Sequence, residues 1–393
     1  MDSASVPTTV DEVQGLVRQA AQDGTPLELH GGRSKSDVGR RSTESRPIDL
    51  RALNGIISYE PAELILVAQP GLALAAAESA LAANNQHLAF EPPYLGNAAT
   101  IGGTVACGLS GPRRFKAGAV RDFVLGVEFV DGRGTRARAG GRVVKNVTGY
   151  DLPRVMTGAF GTLGVLTEIC LKLWPRPETT ATLVFHQLSL ARALERMLAL
   201  AQLPLEISGL AFLPDEGDHQ PETVGRLCVR IEGSEAGVSM QAGELQDDLA
   251  RNARSECVQI ENLGADDSAE LWRRVRELEF CRADRQQQLW RLCPPPASAA
   301  QLVKRLRAEG LLHFNLDWGG GLLWALFPSE VEPATIHRLA RDAEATSWRF
   351  ATGPDDLNEA AFTPLNPGEE RLHRQLKTAL DPANILNRGR LYG

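Results

Sequence analysis

The sequence of 393 residues lacks the features that direct a chain into or across a membrane. Its first residues, MDSASVPTTVDEV, contain neither a basic region nor an apolar run, so we expect no secretory signal. The longest apolar runs, such as 72–77 and 322–327, are far shorter than the roughly 20 residues that cross a bilayer. We therefore expect a cytoplasmic protein without direct membrane insertion.

Cysteine is also scarce, and its spacing excludes several kinds of site. The six cysteines are Cys107, Cys170, Cys228, Cys257, Cys281 and Cys293. They form no C-x-x-C pair and have no histidine at metal-ligand spacing, which argues against disulfides, zinc and an iron–sulfur cluster. We expect reduced thiols and no metal.

Glycine and positive charge are concentrated in one stretch, residues 96–164. The stretch holds 15 of the 37 glycines and has a net charge of +6, although the whole chain has −7. Glycine allows close approach of backbone amides, and amides together with cations bind phosphates. The stretch therefore indicates a bound phosphate-bearing ligand. Composition alone is equally compatible with a turn-rich sheet that carries solvated arginines.

The order of the motifs favours the ligand. They are TIGGTVA at 100–106, SG at 110–111, RDFVLGV at 121–127, TGYDL at 148–152 and GTLGVLTE at 161–168. This series resembles the FAD-binding domain of the vanillyl-alcohol oxidase type, in the branch of D-lactate and glycolate dehydrogenases. The resemblance covers roughly 10–177 and returns at the C-terminus. It implies an α+β fold, with a two-part FAD-binding domain and an α+β antiparallel cap domain.

The loop Gly31–Gly32–Arg33–Ser34–Lys35 follows a short predicted strand. In the resembled family this loop binds the pyrophosphate, and some relatives have a histidine there that is bonded covalently to the flavin. Here Arg33 occupies that position, so we expect non-covalent FAD. The alternative is a surface glycine-rich turn.

The resemblance implies a larger set of FAD-binding residues. These are Gly31, Gly32, Arg33, Ser34, Lys35, Pro92, Gly96, Thr100, Ile101, Gly102, Gly103, Ala106, Ser110, Gly111, Arg113, Arg114, Gly161, Thr162, Gly164, Val165 and Asn387.

Proline on either side of Arg176 indicates a domain boundary. We predict an FAD-binding domain at 1–177 with an internal break near 90, a cap domain at 178–348, and a C-terminal segment at 349–393 that returns to the flavin. The ending DPANILNRGRL resembles the family pattern D-P-x-x-I-L-N-P-G-K, whose asparagine lies near the flavin ring. Arg388 replaces the usual proline, so we expect a less rigid turn around Asn387.

The sequence does not identify a substrate site. A flavin dehydrogenase needs a base for the hydroxyl proton and a cation for the substrate carboxylate. His313 and His337 are isolated, and Arg349 and His373 are candidates by position only, so we expect structural roles. The catalytic residues remain unassigned.

Within the branch, the chain is similar to the FAD-binding E subunits of bacterial glycolate oxidases. That similarity implies oxidation of glycolate or related 2-hydroxy acids within a complex that contains a second flavoprotein subunit and an iron–sulfur subunit. The complex could hold this chain at the inner face of the membrane, with the cap domain as the partner interface. One alternative is a non-catalytic FAD-bearing subunit for assembly or electron relay. Another is a self-sufficient sugar or lactone oxidase, which the C-terminal pattern disfavours.

Overall fold

A computed structural model describes residues 4–36, 38–40, 45–142, 149–215, 224–252, 259–284, 286–351 and 361–392. Cys257 and Thr148, the first residue of the TGYDL motif, lie outside these described residues.

The helices and strands are numbered along the chain. The helices are α1 (Val10–Asp23), α2 (Leu74–Ala82), α3 (Ile101–Cys107), α4 (Arg114–Ala117), α5 (Leu152–Met156), α6 (Leu190–Leu200), α7 (Glu235–Asn252), α8 (Ala265–Arg276), α9 (Ala299–Ala308), α10 (Pro333–Asp342) and α11 (Pro367–Leu380). The strands of the first half are β1 (Leu27–His30), β2 (Arg46–Asp49), β3 (Ile56–Glu60), β4 (Ile65–Ala68), β5 (Gln86–His87), β6 (Val124–Val130), β7 (Arg136–Gly140), β8 (Val165–Lys172) and β9 (Trp174–Pro175). Those of the second half are β10 (Thr179–Ser189), β11 (Ile207–Pro214), β12 (Val224–Gly233), β13 (Ile260–Leu263), β14 (Gln287–Cys293), β15 (His313–Asp317), β16 (Leu322–Pro328) and β17 (Thr346–Ala351).

The chain divides into two compact units. The first consists of Met1–Ser110, Ala119–Arg176 and Pro364–Gly393, and the second of Gly111–Gly118 and Pro177–Thr363. This division differs from the predicted one in two places. The segment 111–118 belongs to the second unit, and the C-terminal return begins at Pro364 because β17 pairs with β14 in the sheet of the second unit.

The first unit contains two cores of strand and helix. In one, β1 and β2 pair in parallel, and α1 buries Val13, Val17 and Ala20 in a cluster with Leu27 and Leu386. In the other, the described residues form an antiparallel sheet in the order β3-β4-β8-β6-β7. The α1 helix ends at Gly24, whose φ of 67° lies in the left-handed region that glycine tolerates best.

The second unit is built on one antiparallel sheet. Its described strands follow the order β13-β10-β12-β11-β15-β16-β14-β17. One face packs against α6, α7, α9 and α10 in a cluster that includes Leu210, Trp290 and Leu316. On the other face, Trp272 of α8 packs with Ala211 and Cys228. The structure of these two units confirms the predicted α+β fold class and the predicted antiparallel sheet of the cap domain.

None of the helices in the described ranges has both the length and the apolar character needed to cross a membrane.

Candidate functional site

The first unit contains a cleft of about 720 Å³, which lies between the loop after β1, the segment around α3 and the C-terminal residues. A second space of about 450 Å³ shares Leu29, Thr100, Phe160 and Asn387 with it. We call the two together the cleft.

In the loop after β1, the backbone of Gly31 and Gly32 lies so close to residues 98–100 that neither position has room for a side chain. A Cβ atom on Gly32 would lie 1.5 Å from the carbonyl oxygen of Ala98, and one on Gly31 would lie 2.5 Å from Thr100 Oγ1. Arg33 follows with a φ of 56°. The two glycines therefore allow the backbone to form this wall of the cleft.

Besides Arg33, which pairs with Glu28 of the same lining, two cations line the cleft. Lys35 is 7% exposed, and its Nζ donates to Ser34 Oγ at 3.2 Å and to the Tyr94 carbonyl at 3.3 Å. Arg390 donates through Nη2 to the carbonyl oxygens of Lys35 at 3.2 Å and Ser36 at 3.0 Å. The C-terminal segment thus holds the loop and adds a second positive charge to the cleft.

Cys107 lies in the same wall as these cations. Burial raises the pKa of its thiol, and the positive charges of Lys35 and Arg390 oppose that increase. Its pKa is above the ordinary value, so the group remains a thiol at neutral pH. The cleft is therefore cationic and lacks a thiolate nucleophile at this position.

Asn387 joins two walls of the cleft. Its Oδ1 accepts a hydrogen bond from the Leu29 amide at 2.7 Å, and its Nδ2 donates to the Phe160 carbonyl at 2.6 Å. Its own amide donates to the Leu27 carbonyl at 2.9 Å. These three bonds position Asn387 although Arg388 replaces the proline of the family pattern.

His30, in the cleft lining, provides an unused polar atom. Burial lowers the pKa of its imidazole, so the ring is neutral at pH 7. Nδ1 lies 3.3 Å from the carbonyl oxygen of Gly31, whereas Nε2 is buried without a hydrogen-bond partner in the described part of the chain. An unpaired buried nitrogen, two cations and a side-chain-free backbone together fit a ligand that has both phosphates and a hydrogen-bonding ring.

Thirteen of the predicted cofactor residues line the cleft. They are Gly31, Gly32, Arg33, Ser34, Lys35, Thr100, Gly102, Gly103, Ala106, Gly161, Gly164, Val165 and Asn387. The lining also includes residues that the sequence interpretation missed, among them Leu29, His30, Cys107, Phe160 and Arg390. Arg390 lies in the C-terminal motif, three residues after Asn387, and that position could have identified it.

The other predicted cofactor residues are outside the described lining. Pro92, Gly96, Ile101, Ser110 and Thr162 belong to the first unit, and Gly111, Arg113 and Arg114 to the second.

The three residues in the second unit have partners there. Arg113 forms a bidentate pair with Glu232 at 2.7 and 2.9 Å. The guanidinium of Arg114 lies 4.2 Å from the ring centroid of Trp318, whose Nε1 donates to the Gly111 carbonyl at 2.9 Å. These contacts explain why the segment 111–118 groups with the second unit.

The candidate histidines have structural surroundings. His337 is buried, with Nδ1 2.6 Å from Ser347 Oγ and its ring edge-on to Trp290 at 4.9 Å. His373 on α11 lies edge-on to Tyr392 at 4.9 Å. Arg349 is opposite Trp290 in the register of β14 and β17, on the face covered by α10. No group of three or more potential metal ligands is present among the residues that the structure describes.

Comparison with known proteins identifies the ligand and the family. A family described as an FAD binding domain matches residues 2–140. The fold resembles that of p-cresol methylhydroxylase, with a TM-score of 0.71 at 16% identity over 98% of this chain and 88% of that protein. The chain therefore contains an FAD-binding domain, its cofactor is FAD, and its fold is that of p-cresol methylhydroxylase.

Sequence comparison narrows this class further. The chain is 39% identical to glycolate oxidase subunit GlcE of Escherichia coli (strain K12) over 377 residues, which are 96% of this chain and 95% of that protein. It is 32% identical to glycolate oxidase subunit GlcD of Bacillus subtilis (strain 168) over 185 residues, 47% of this chain and 39% of that protein. The chain belongs to the family of glycolate oxidase subunit GlcE.

Proposed function

We propose that this chain is the FAD-binding subunit of a glycolate oxidase complex, in which glycolate and related 2-hydroxy acids are oxidised to 2-oxo acids. The observation that carries the proposal is the similarity to the Escherichia coli subunit over nearly the full length of both chains. The cleft supports it, because its lining suits FAD.

The residues of the first unit have distinct roles in this proposal. Lys35 and Arg390 balance the negative charge of the pyrophosphate, and Gly31 and Gly32 let the backbone approach it. Asn387 holds the two walls of the cleft together through its hydrogen bonds to the backbone of Leu29 and Phe160. When bound, FAD supplies the ability to accept a hydride from an alcohol carbon.

The cofactor is bound non-covalently in this proposal. Arg33 occupies the position at which covalent relatives have histidine, and its guanidinium pairs with Glu28 at 3.4 Å. Precipitation of the purified protein with acid should release intact FAD into the supernatant. Yellow colour that stays in the pellet would contradict non-covalent binding.

Electrons leave through partners in this proposal, namely an iron–sulfur subunit and a second flavoprotein subunit. The test compares the purified single chain with the three co-expressed subunits, using anaerobic reduction of the flavin by glycolate and then reduction of a dye. We expect the subunits to co-purify and the complex to reduce the dye much faster than the chain alone. Vigorous glycolate oxidation by the single chain would favour a self-sufficient oxidase. A complex that assembles but leaves the FAD of this chain oxidised would favour a non-catalytic subunit.

A further inference from the structure

The sheet of the second unit contains a buried arginine, Arg291 on β14, which is 5% exposed. Among the described residues its guanidinium has no acidic partner and its Nε has no hydrogen-bond partner. In the described part of the chain its guanidinium contacts aromatic rings, with Cζ 4.6 Å from the ring centroid of Trp348 and 5.2 Å from that of Trp318. A buried cation is usually paired, so this environment suits an anion supplied by a ligand.

A second unpaired polar group lies on the same face. Asn315 on β15 is 1% exposed, and its Oδ1 has no hydrogen-bond partner in the described residues. In the register, both Arg291 and Asn315 are opposite Trp324 on the intervening strand β16. Residues opposite one another point to the same face, so the two side chains emerge on either side of Trp324.

The guanidinium lies between two aromatic rings, that of Trp348 on β17, on the side of β14 away from Asn315, and that of Trp318, which follows β15. Cross-strand spacing places the Cα atoms of Arg291 and Asn315 about 10 Å apart. Trp318, which the guanidinium approaches, is only three residues beyond Asn315. An arginine side chain is long enough to cover much of that separation, which leaves a gap on the scale of a small ligand on this face of the sheet.

The two groups have complementary hydrogen-bonding roles. Arg291 Nε is a donor and suits a carboxylate, whereas Asn315 Oδ1 is an acceptor and suits a hydroxyl. Trp318 and Trp324 are buried and Trp348 is half-buried, so little water surrounds the two groups, and this strengthens both interactions. Asp317 Oδ1 accepts a hydrogen bond from the Trp318 amide at 2.7 Å. We infer that Arg291 and Asn315 form a binding site for a small 2-hydroxy carboxylate, a substrate class that rests on the proposed function.

The test uses the complete FAD-bound chain and a probe that cannot be oxidised. 2-Hydroxyisobutyrate has the carboxylate and hydroxyl of the substrate class but has no hydrogen on C2, and isobutyrate lacks the hydroxyl. Binding is followed by tryptophan fluorescence, because Trp318 and Trp348 flank the site, and by calorimetry. We expect saturable binding of both probes, with a preference of about threefold to tenfold for the hydroxy acid.

Substitutions separate the two contacts. Arg291→Gln should lower the affinity for both probes by about tenfold or more. Arg291→Lys, which keeps the charge in a similar volume, should lower it by less. Asn315→Leu should remove the preference for the hydroxy acid and leave isobutyrate binding unchanged. The matched control is Arg226→Lys, since Arg226 also lies over an aromatic ring of this unit, Phe280, at 5.6 Å. It should bind both probes as the unaltered chain does.

Several results would overturn the site. They are absence of saturable binding by the unaltered chain, unchanged affinities in Arg291→Lys, and a preserved preference in Asn315→Leu. If Arg291→Gln fails to fold, as judged by circular dichroism, the affinities of Arg291→Lys alone test whether Arg291 binds the probes. If the complex with Arg291→Lys oxidises glycolate with an unchanged KM, the proposed binding site is wrong but the proposed function still stands. If the complex is inactive toward glycolate but this chain still binds 2-hydroxyisobutyrate through Arg291, the proposed function is wrong but the binding site is supported.

Discussion

The side chain of Asn387 donates a 2.6 Å hydrogen bond to the carbonyl oxygen of Phe160, a residue 227 positions earlier in the chain. Its Oδ1 accepts from the Leu29 amide, so one side chain satisfies two backbone groups that line the cleft. The C-terminal motif therefore contributes to the cofactor cleft by holding its walls together.

Replacing Asn387 should weaken this connection. Asn387→Ala leaves the Leu29 amide and the Phe160 carbonyl without their partner, at a cost of about 1–3 kcal/mol for each group that stays buried and unpaired. We expect a lower free energy of unfolding, measured with denaturant, and a lower ratio of FAD to protein after gel filtration. Arg388→Ala is the neighbouring control, because Arg388 is exposed, and should behave as the unaltered chain. Full retention of FAD by Asn387→Ala would refute the role of these bonds.

Local motifs allowed most of the cleft to be predicted. Gly31, Gly32 and Thr100 are in places where the backbone is close to another segment, and such constraints leave a pattern of small residues in the sequence. The cap was predicted as a class because its strands and helices alternate.

Long-range pairing could not be predicted in the same way. Arg113 pairs with Glu232, which is 119 residues away in the sequence, and Trp318 donates a hydrogen bond to Gly111, which is 207 residues away. Such partners follow no local spacing, so the sequence indicated neither of them, and the assignment of Arg113 and Arg114 to the cofactor stays a prediction. For the same reason the sequence interpretation did not identify Arg291 and Asn315, whose relationship depends on the register of three strands.

Gly103 tests whether the cleft holds the cofactor. A Cβ atom there would meet only Thr100 Oγ1, at 3.2 Å, so a larger residue fits the fold with a small adjustment and extends into the cleft. Gly103→Val should lower the FAD content, measured by absorbance after desalting, with little loss of stability. Gly15→Val on the exposed face of α1 is the control and should keep its FAD. Normal FAD content in Gly103→Val would place the cofactor elsewhere.

Gly161→Val should reduce both FAD content and stability. Gly161 has a φ of 69°, a conformation that strains other residues, and a Cβ atom would lie 2.8 Å from Asn387 Nδ2. Thermal unfolding should therefore shift downward together with the loss of FAD. Unchanged thermal stability would show that this turn relaxes without disturbing Asn387.

Leu210 tests the core of the second unit. It is fully buried on β11 within the cluster that α6, α7, α9 and α10 cover. Leu210→Ala should cost about 2–5 kcal/mol of stability, because it leaves a cavity. The ratio of FAD to folded protein should stay unchanged, since the cleft lies in the first unit. Leu203→Ala, at a site 40% exposed, is the control and should cost much less. An equal effect of both substitutions would contradict the packing described for β11.

The last prediction concerns acid stability and Glu232. Burial alone would raise the pKa of this carboxyl, but Arg230 and the bidentate Arg113 outweigh burial and hold the pKa far below its usual range. A carboxyl with a depressed pKa stabilises the fold fully above its unfolded pKa of about 4.3 and loses that contribution as the pH falls toward the folded pKa. Glu232→Gln should therefore cost about 3–5 kcal/mol at pH 7, since it leaves buried Arg230 with an uncompensated charge.

The difference in the free energy of unfolding between the unaltered chain and Glu232→Gln should therefore change with pH. Denaturant titrations of the unaltered chain and Glu232→Gln from pH 7 to pH 3 should show a constant gap in the free energy of unfolding above about pH 5 and a shrinking gap below about pH 4. The gap shrinks because the unfolded chain then binds a proton at Glu232 that the folded chain does not bind. Glu195→Gln supplies the control: Glu195 pairs with Arg192 in an exposed position, and its loss should change stability by less than about 1 kcal/mol at every pH. A gap that stayed constant down to pH 3 would mean that the pairing with Arg113 and Arg230 does not depress the pKa. In that case the acid sensitivity of the second unit would have to come from other carboxyls.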